Sequence, residues 1–181
     1  MNSYKIGLLS GMEPARSLVV PLGWSCEYEE PNFNSKARSI YYFPSRAPDT
    51  VLTFFNRGFP IGHEEMDRLR ELLRLGPDQS TGSKKLSIHS VKSALPQALG
   101  NLVNEAAFEM SNVGVVEING RKTLMIEGTW LASAKRFHGY LLPSDTASGA
   151  IQEIFFESEE PNYSKFLPYA QKAINSVKWS G

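Results

Sequence analysis

The stretch VGVVEINGRKTLMI, residues 113–126, decides the fold, because two strand-like runs flank the pair Asn119-Gly120. Both central residues of a type I′ turn need a positive φ angle, and Asn-Gly meets that need well. A two-residue hairpin is therefore predicted, and its turn sets the register. The predicted pairs are Val113 with Ile126, Gly114 with Met125, Val115 with Leu124, Val116 with Thr123, Glu117 with Lys122 and Ile118 with Arg121. One face is apolar and the other half polar, which predicts an antiparallel sheet buried on one side.

Other runs of β-branched and aromatic residues predict further strands. Three precede the hairpin and two follow it, and they cover Ser17–Leu22, Ser39–Phe43, Thr50–Phe55, Arg136–Leu142 and Ala150–Glu157. Leu86–Val91 is predicted as one more short strand. The polar segment Gly76–Lys85 is expected to form a loop, and Ser144–Gly149 a turn.

Apolar residues at helical spacing predict three helices, over His63–Leu75, over Leu95–Met110, and from about Ser164 as N-cap to about Lys178. Strands and helices do not alternate along the chain, so a parallel sheet is not expected. The order predicts an α+β fold, with an antiparallel sheet of about six strands and helices packed on both faces. The length of 181 residues fits a single domain spanning residues 1–181.

Composition narrows the classes of function. Nineteen Lys and Arg residues balance nineteen Asp and Glu residues, which excludes a generally basic nucleic-acid binder. No stretch approaches the roughly 18 continuous apolar residues of a membrane span. The single cysteine, Cys26, cannot form an internal disulfide, which fits a cytoplasmic protein. The alternative is an exported protein from which a signal segment has been removed.

The sequence lacks the motifs that announce catalysis, metal binding or nucleotide binding. It contains no G-x-G-x-x-G and no P-loop, so we expect no cofactor. His63, His89 and His138 lack the close spacing and the cysteine partner of a zinc site, so we expect no metal. Cys26 has no neighbouring base and is expected to be a small buried apolar residue. No residue is therefore predicted to be catalytic.

Aromatic residues are the class that most favours a binding function. The pairs Tyr41-Tyr42, Phe54-Phe55 and Phe155-Phe156 each place a ring on both faces of a sheet, because neighbours on a strand point in opposite directions. These rings are core residues if helices cover both faces. If one face is partly open, they are presented to a partner. The candidates for such a surface, partly from the loop before the first helix, are Arg57, Phe59, His63, Trp130, Arg136, Phe137 and His138.

Both ends of the chain resemble the PsbP-like fold family. Val20–Trp24 resembles the Pro-x-Gly-Trp opening of that family. The strands Gly139–Leu142 and Ile151–Phe156, followed by a helix whose last turn is Ile174–Trp179, resemble its closing pattern. The family includes photosystem-associated proteins, a Ran-binding import factor and bacterial secretion-associated chaperones. The resemblance implies an antiparallel sheet flanked by helices, and a role in binding other proteins.

Two hypotheses on function follow. The first is a non-catalytic protein-interaction domain, such as an adaptor, an assembly factor, a chaperone or an immunity-type partner in bacteria. The alternative is an enzyme or small-molecule binder with a pocket between the sheet and a helix that contains His89 or His138. An exposed edge strand would also allow a homodimer.

Overall fold

The computed structural model of the protein describes residues 4–29, 36–77, 82–144 and 149–181. The strands within these residues are β1 (Tyr4–Leu8), β2 (Ala15–Pro21), β3 (Trp24–Glu29), β4 (Arg38–Pro44), β5 (Val51–Pro60), β6 (Ser83–Lys85), β7 (Phe108–Ile118), β8 (Arg121–Trp130), β9 (Arg136–Pro143), β10 (Ala150–Ser158) and β11 (Lys178–Trp179). The helices are α1 (His63–Arg74), α2 (Ile88–Ala94), α3 (Pro96–Leu99) and α4 (Asn162–Asn175), with a short 3₁₀ helix at Gly100–Val103.

Eight of the described strands form one antiparallel sheet in the order β3-β4-β5-β10-β9-β8-β7-β6. Three others form a small sheet in the order β1-β2-β11. The α+β class and the large antiparallel sheet are confirmed. The expected number of about six strands is too low, because β3 is mostly exposed and β6 has only three residues. The predicted strand at Ser17–Leu22 corresponds to β2 and belongs to the small sheet.

The register of the central hairpin is confirmed at every predicted pair. Asn119 and Gly120 have φ angles of 45° and 84°, as the turn requires. The prediction that the sheet is buried on one side only is wrong. Thr123 is buried on the face expected to be half polar, and Val116 and Met125 pack there against a core cluster.

Two predicted elements between α1 and the hairpin are wrong. Leu86–Val91 leads into helix α2 instead of forming a strand, because the Ser87 hydroxyl caps that helix by accepting from the Ser90 N–H at 3.3 Å. The predicted helix Leu95–Met110 is reduced to α3 and the 3₁₀ helix. Gly100 ends α3 with a positive φ of 56°, and the chain then turns into β7.

Helix α4 starts and ends earlier than predicted. Pro161 is its N-cap, so Ser164 lies in its first turn, and after Asn175 the chain forms β11. The predicted loop Gly76–Lys85 and turn Ser144–Gly149 fall partly outside the described residues, which omit 78–81 and 145–148; the end of the loop forms β6. None of the described helices is both long enough and apolar enough to cross a membrane.

Two core clusters meet the large sheet, and neighbouring residues on a strand belong to different clusters. On β10, Phe156 belongs to the first cluster, which includes residues of α4 and β2 and of the turn before β2. Phe155 packs against the second cluster, which includes residues of α1, α2 and α3. Because successive side chains on a strand point to opposite faces, the clusters lie on opposite faces of the sheet. The face of the second cluster carries the candidate site.

Candidate functional site

A cleft of about 880 Å³ lies where the sheet meets α3 and the 3₁₀ helix. This volume is in the range of about 300–1,000 Å³ that is usual for ligand pockets. We call it the aromatic cleft, because rings from β5, β8, β9 and β10 line it. Its principal lining residues are Phe55, Arg57, Phe59, Ile61, Gln97, Leu99, Leu102, Trp130, Lys135, Phe137, Glu153, Phe155 and Glu157.

The aromatic rings in the cleft contact one another. Phe137 stacks on Phe155 with ring centroids 5.3 Å apart, and Trp130 meets Phe137 edge-on at 6.2 Å. Phe108 lies against both Trp130 and Phe137, at 4.9 and 5.5 Å. Aromatic pairs in stacked and edge-on arrangements stabilise each other beyond the burial of their area. These four rings therefore form one packed cluster.

Gly139 on β9 leaves the space that the Phe137 ring occupies. A Cβ atom at Gly139 would lie 2.5 Å from Cζ of Phe137 and 3.0 Å from Cβ of Phe155. Any larger residue would displace the ring, because such distances are shorter than van der Waals contact. The glycine thus fixes the position of the stacked pair in the cleft.

Arg57 ties the helical wall of the cleft to the sheet. It is buried in β5, where its Nε donates to Oε1 of Glu153 at 2.7 Å, and its Nη2 donates to the same oxygen. Its Nη1 donates to the carbonyl of Gln97 at 2.6 Å, and its Nη2 also to the carbonyl of Ala98. One guanidinium therefore satisfies a carboxylate of β10 and two carbonyls of α3.

The same wall is also tied to α1 and to the residue before it. The buried Glu65 accepts a hydrogen bond from the backbone N–H of Ala98 at 2.6 Å. The Gln97 side chain accepts from the backbone N–H of Gly62 at 3.0 Å. With Arg57 on its other side, α3 is held from two directions, so the cleft is formed before any ligand binds.

Two carboxylates lie on the same face of β10, one on each side of Phe155. Burial raises the pKa of Glu153, although the charge of Arg57 and its hydrogen bonds act against this rise. Burial also raises the pKa of Glu157, opposed by the positive charge of Lys135 and by a hydrogen bond from Trp130. The cleft therefore combines apolar rings with two carboxylates that are poorly hydrated.

Four of the seven predicted site residues meet in the aromatic cleft: Arg57, Phe59, Trp130 and Phe137. The placement of Arg57 and Phe59 in a loop is wrong, because both lie in β5, which continues to Pro60. His63 is exposed at the start of α1 and lines a separate pocket of about 390 Å³. Arg136 and His138 flank Phe137 on β9 and therefore point to the opposite face.

His138 is buried in a hydrogen-bonded network on that opposite face. Its Nδ1 lies 2.9 Å from Oε1 of Glu127 and its Nε2 lies 2.6 Å from the hydroxyl of Tyr140. Asn112 donates to the other oxygen of Glu127 at 2.8 Å. Burial lowers the pKa of His138, although Glu127 favours the protonated ring. A neutral ring then donates from Nδ1 to Glu127 and accepts from the Tyr140 hydroxyl.

The remaining candidates are surface residues outside the aromatic cleft. Arg136 donates to Glu160 at 2.7 Å and lies 4.3 Å from the ring centroid of Tyr163, so it joins β9 to α4. His89 is exposed on α2. Cys26 is an exposed free thiol, so its expected burial is wrong.

Three residues of β10 that line the cleft, Glu153, Phe155 and Glu157, are not predicted from the sequence as parts of one site. The signal was present, because residues at alternate positions of a strand share a face. The wall formed by α3 and the 3₁₀ helix is also not predicted, because Leu95–Met110 is predicted as one continuous helix, whereas α3 ends at Gly100.

Comparison with solved structures shows the fold of the chain. The solution structure of cyanobacterial PsbP (CyanoP) from Synechocystis sp. PCC 6803 is similar to it, with a TM-score of 0.57 over 99% of this chain and 94% of the other. The two sequences are 12% identical. No protein-family model matches the chain, and no curated protein matches it. The expected PsbP-like fold is thereby confirmed.

Proposed function

We propose that the chain is a single non-catalytic domain that binds another protein, and that the aromatic cleft is its docking site. The observation that carries this proposal is Phe59, whose side chain lines the cleft while the residue is 59% exposed. A large exposed ring beside an apolar concave surface is typical of protein interfaces and their hot spots. The ties from Arg57 and Glu65 favour binding further, because a preformed site loses less conformational entropy on association.

The distribution of histidines also favours binding over catalysis. His63, His89 and His138 do not line the aromatic cleft, and the Arg57–Glu153 pair is engaged in holding its wall. The PsbP-like fold and the family resemblance support the same class of function. A role as an adaptor, an assembly factor, a chaperone or an immunity-type partner is proposed within this class.

The alternative function is binding of a small molecule in the same cleft. The volume of about 880 Å³ favours it, because it lies in the range of pockets that hold drug-sized ligands. In this alternative the ligand contacts Trp130 and Phe155, and neither His89 nor His138 takes part.

Capture from the native host, followed by native mass spectrometry, separates the two functions. We expect the full-length protein to bring down one stoichiometric protein partner, which is lost with Phe59→Ala and with Trp130→Ala. Leu22→Ala is the matched control, because Leu22 is a 55% exposed apolar residue outside the cleft. Retention of the partner by both cleft variants would contradict the proposal. A bound metabolite without a protein would support the alternative.

Three further features are proposed with this function. Helices contribute to both core clusters, which supports the predicted arrangement with helices on both faces of the sheet.

The exposed free thiol of Cys26 favours a cytoplasmic location, where thiols stay reduced. Strand β3 lies at an edge of the large sheet, which favours self-association through that edge as the route to a homodimer. Light scattering on the purified chain tests the homodimer.

A further inference from the structure

Glu157 presents a half-buried carboxylate to the aromatic cleft. Its Oε2 accepts a hydrogen bond from Nε1 of Trp130 at 3.1 Å, and an indole is a neutral donor. No ion pair of Glu157 is found among the described residues. Lys135 lines the same cleft, yet burial outweighs its charge and the pKa of Glu157 stays raised. Among the described residues, the Glu157 carboxylate therefore has a neutral hydrogen-bond donor and no ion pair.

Three aromatic rings adjoin this carboxylate. Phe137 is the cross-strand neighbour of Glu157 on β9, and Phe155 lies two residues away on the same face of β10. Trp130 donates a hydrogen bond to the carboxylate. The face of an aromatic ring attracts a cation, and tryptophan attracts it most strongly. Rings around a carboxylate form the kind of site that recognises an ammonium or guanidinium group.

The other charges in the cleft do not favour an anionic guest. Arg57 is engaged with Glu153 and with the carbonyls of Gln97 and Ala98 through Nε, Nη1 and Nη2. An anion would therefore face the Glu157 carboxylate with only Lys135 to compensate it. A cation would instead meet the Glu157 carboxylate and the partly exposed rings of Trp130 and Phe155, with the charge of Lys135 opposing it.

The shape of the cleft favours a cation carried by a polypeptide. The lining of the cleft also includes the apolar residues Leu99, Ile61 and Phe59, of which Phe59 is exposed. A small ammonium ion would leave these apolar residues uncovered. A lysine or arginine flanked by apolar residues would fill both parts.

We propose that the aromatic cleft binds a lysine or arginine side chain of the partner protein, with its cationic group between the Glu157 carboxylate and the rings of Trp130 and Phe155. This inference rests on the proposed function, because it names the chemistry of the segment that docks.

Two blocked five-residue peptides, Ala-Leu-Lys-Leu-Ala and the same sequence with norleucine for lysine, test the inference on the full chain. Norleucine keeps the aliphatic stem and removes the ammonium group. Binding is followed through the Nε1–H NMR signal of Trp130, assigned with Trp130→Phe, and by calorimetry. We expect the lysine peptide to move that signal and to bind about tenfold more tightly than the norleucine peptide.

Variants and a third probe complete the test. Glu157→Gln should abolish the preference for lysine, whereas Glu159→Gln, at an exposed carboxylate outside the cleft, should retain it. If Glu157→Gln fails to fold, the affinities of the two peptides for the unaltered protein still test whether the cleft prefers a cation. Equal affinity for both peptides overturns the cationic anchor and leaves the docking site intact. If neither peptide moves the Trp130 signal, the cationic anchor is also overturned. The capture experiment then tests the proposed function independently. Butylammonium binding as tightly as the lysine peptide would overturn the choice of a polypeptide ligand.

Discussion

The Asn119 side-chain amide donates a hydrogen bond to the carbonyl of Val177 at 2.8 Å, which joins the tip of the central hairpin to the segment after α4. Asn119 thus serves both the turn, through its positive φ angle, and the closure of the first core cluster, to which Val177 belongs. These two roles can be separated by substitution.

Asn119→Gly should destabilise the protein by about 1 kcal/mol, because the turn is retained and the hydrogen bond to Val177 is lost. Asn119→Ala should cost about 1 kcal/mol more, since alanine is strained at a positive φ angle. Urea unfolding monitored by circular dichroism measures both free energies. Equal stability of the two variants would mean that the turn geometry contributes nothing.

Gly139→Ala should destabilise the protein by about 1–3 kcal/mol, because the new methyl group would overlap the Phe137 ring. It should also change the near-ultraviolet circular dichroism of the aromatic cluster. Gly23→Ala is the matched control, since a Cβ at Gly23 meets no atom within 4 Å, and its cost should stay within about 0.5 kcal/mol. Replacing Phe137 with Leu in the Gly139→Ala background should restore part of the loss.

Arg57→Met should cost about 3 kcal/mol or more, because it leaves the carboxylate of Glu153 buried without its partner. The double variant Arg57→Met/Glu153→Met should recover part of this loss and not all of it. Two carbonyls of α3 remain without their donor in the double variant. Arg68→Met, at an exposed arginine of α1, is the control and should be nearly neutral. A neutral Arg57→Met would contradict the tie between α3 and the sheet.

The stability of the protein should fall as the pH falls below about 6.5, owing to His138. Burial lowers the pKa of this ring in the folded protein, so the unfolded chain binds more protons in the interval between the two pKa values. The stabilisation is complete above 6.5 and is lost towards the folded pKa, with a slope of up to about 1.4 kcal/mol per pH unit. His138→Gln should flatten this slope.

Urea unfolding at several pH values, compared between the two proteins, measures the joint contribution of His138 and of Glu127, whose pKa is lowered partly by His138. The raised pKa values of Glu153 and Glu157 act in the opposite direction, because the folded state then binds the extra protons. Both carboxyls are present in each protein, so their effects cancel in the difference. An identical slope in His138→Gln would show that this ring is not the titrating group.

The fold could be predicted furthest where a local rule decides the structure. At Asn119-Gly120 the φ requirement of two residues sets the whole register of the hairpin. Over Leu95–Met110 the spacing of apolar residues resembles one helix, whereas the structure uses them in α3, a 3₁₀ helix and β7. Tertiary contacts, such as the hydrogen bond from the Ala98 N–H to the Glu65 carboxylate, select that arrangement, and the spacing of apolar residues does not reveal them.

Only part of the candidate site could be predicted from the sequence, because tertiary contacts bring the rest of it together. Residue type alone predicts Trp130, Phe137 and Phe59 as site residues, because aromatic residues are enriched in protein interfaces. The alternation of side chains along a strand separates Phe137 from His138, but residue type alone does not show which of the two faces carries the cleft. The partner of Arg57 lies on β10, 96 residues along the chain, and only the fold brings them together.

Docking in the aromatic cleft is tested most directly by photo-crosslinking from position 59 of the full chain in its native host. Benzoylphenylalanine in place of Phe59 should form a crosslink to one protein, and mass spectrometry should map it to a segment that carries a lysine or arginine. The same probe at Leu22 should not capture that protein, and Trp130→Ala should abolish the crosslink at position 59. Equal crosslinking from both positions, or none from position 59, would contradict docking in the cleft.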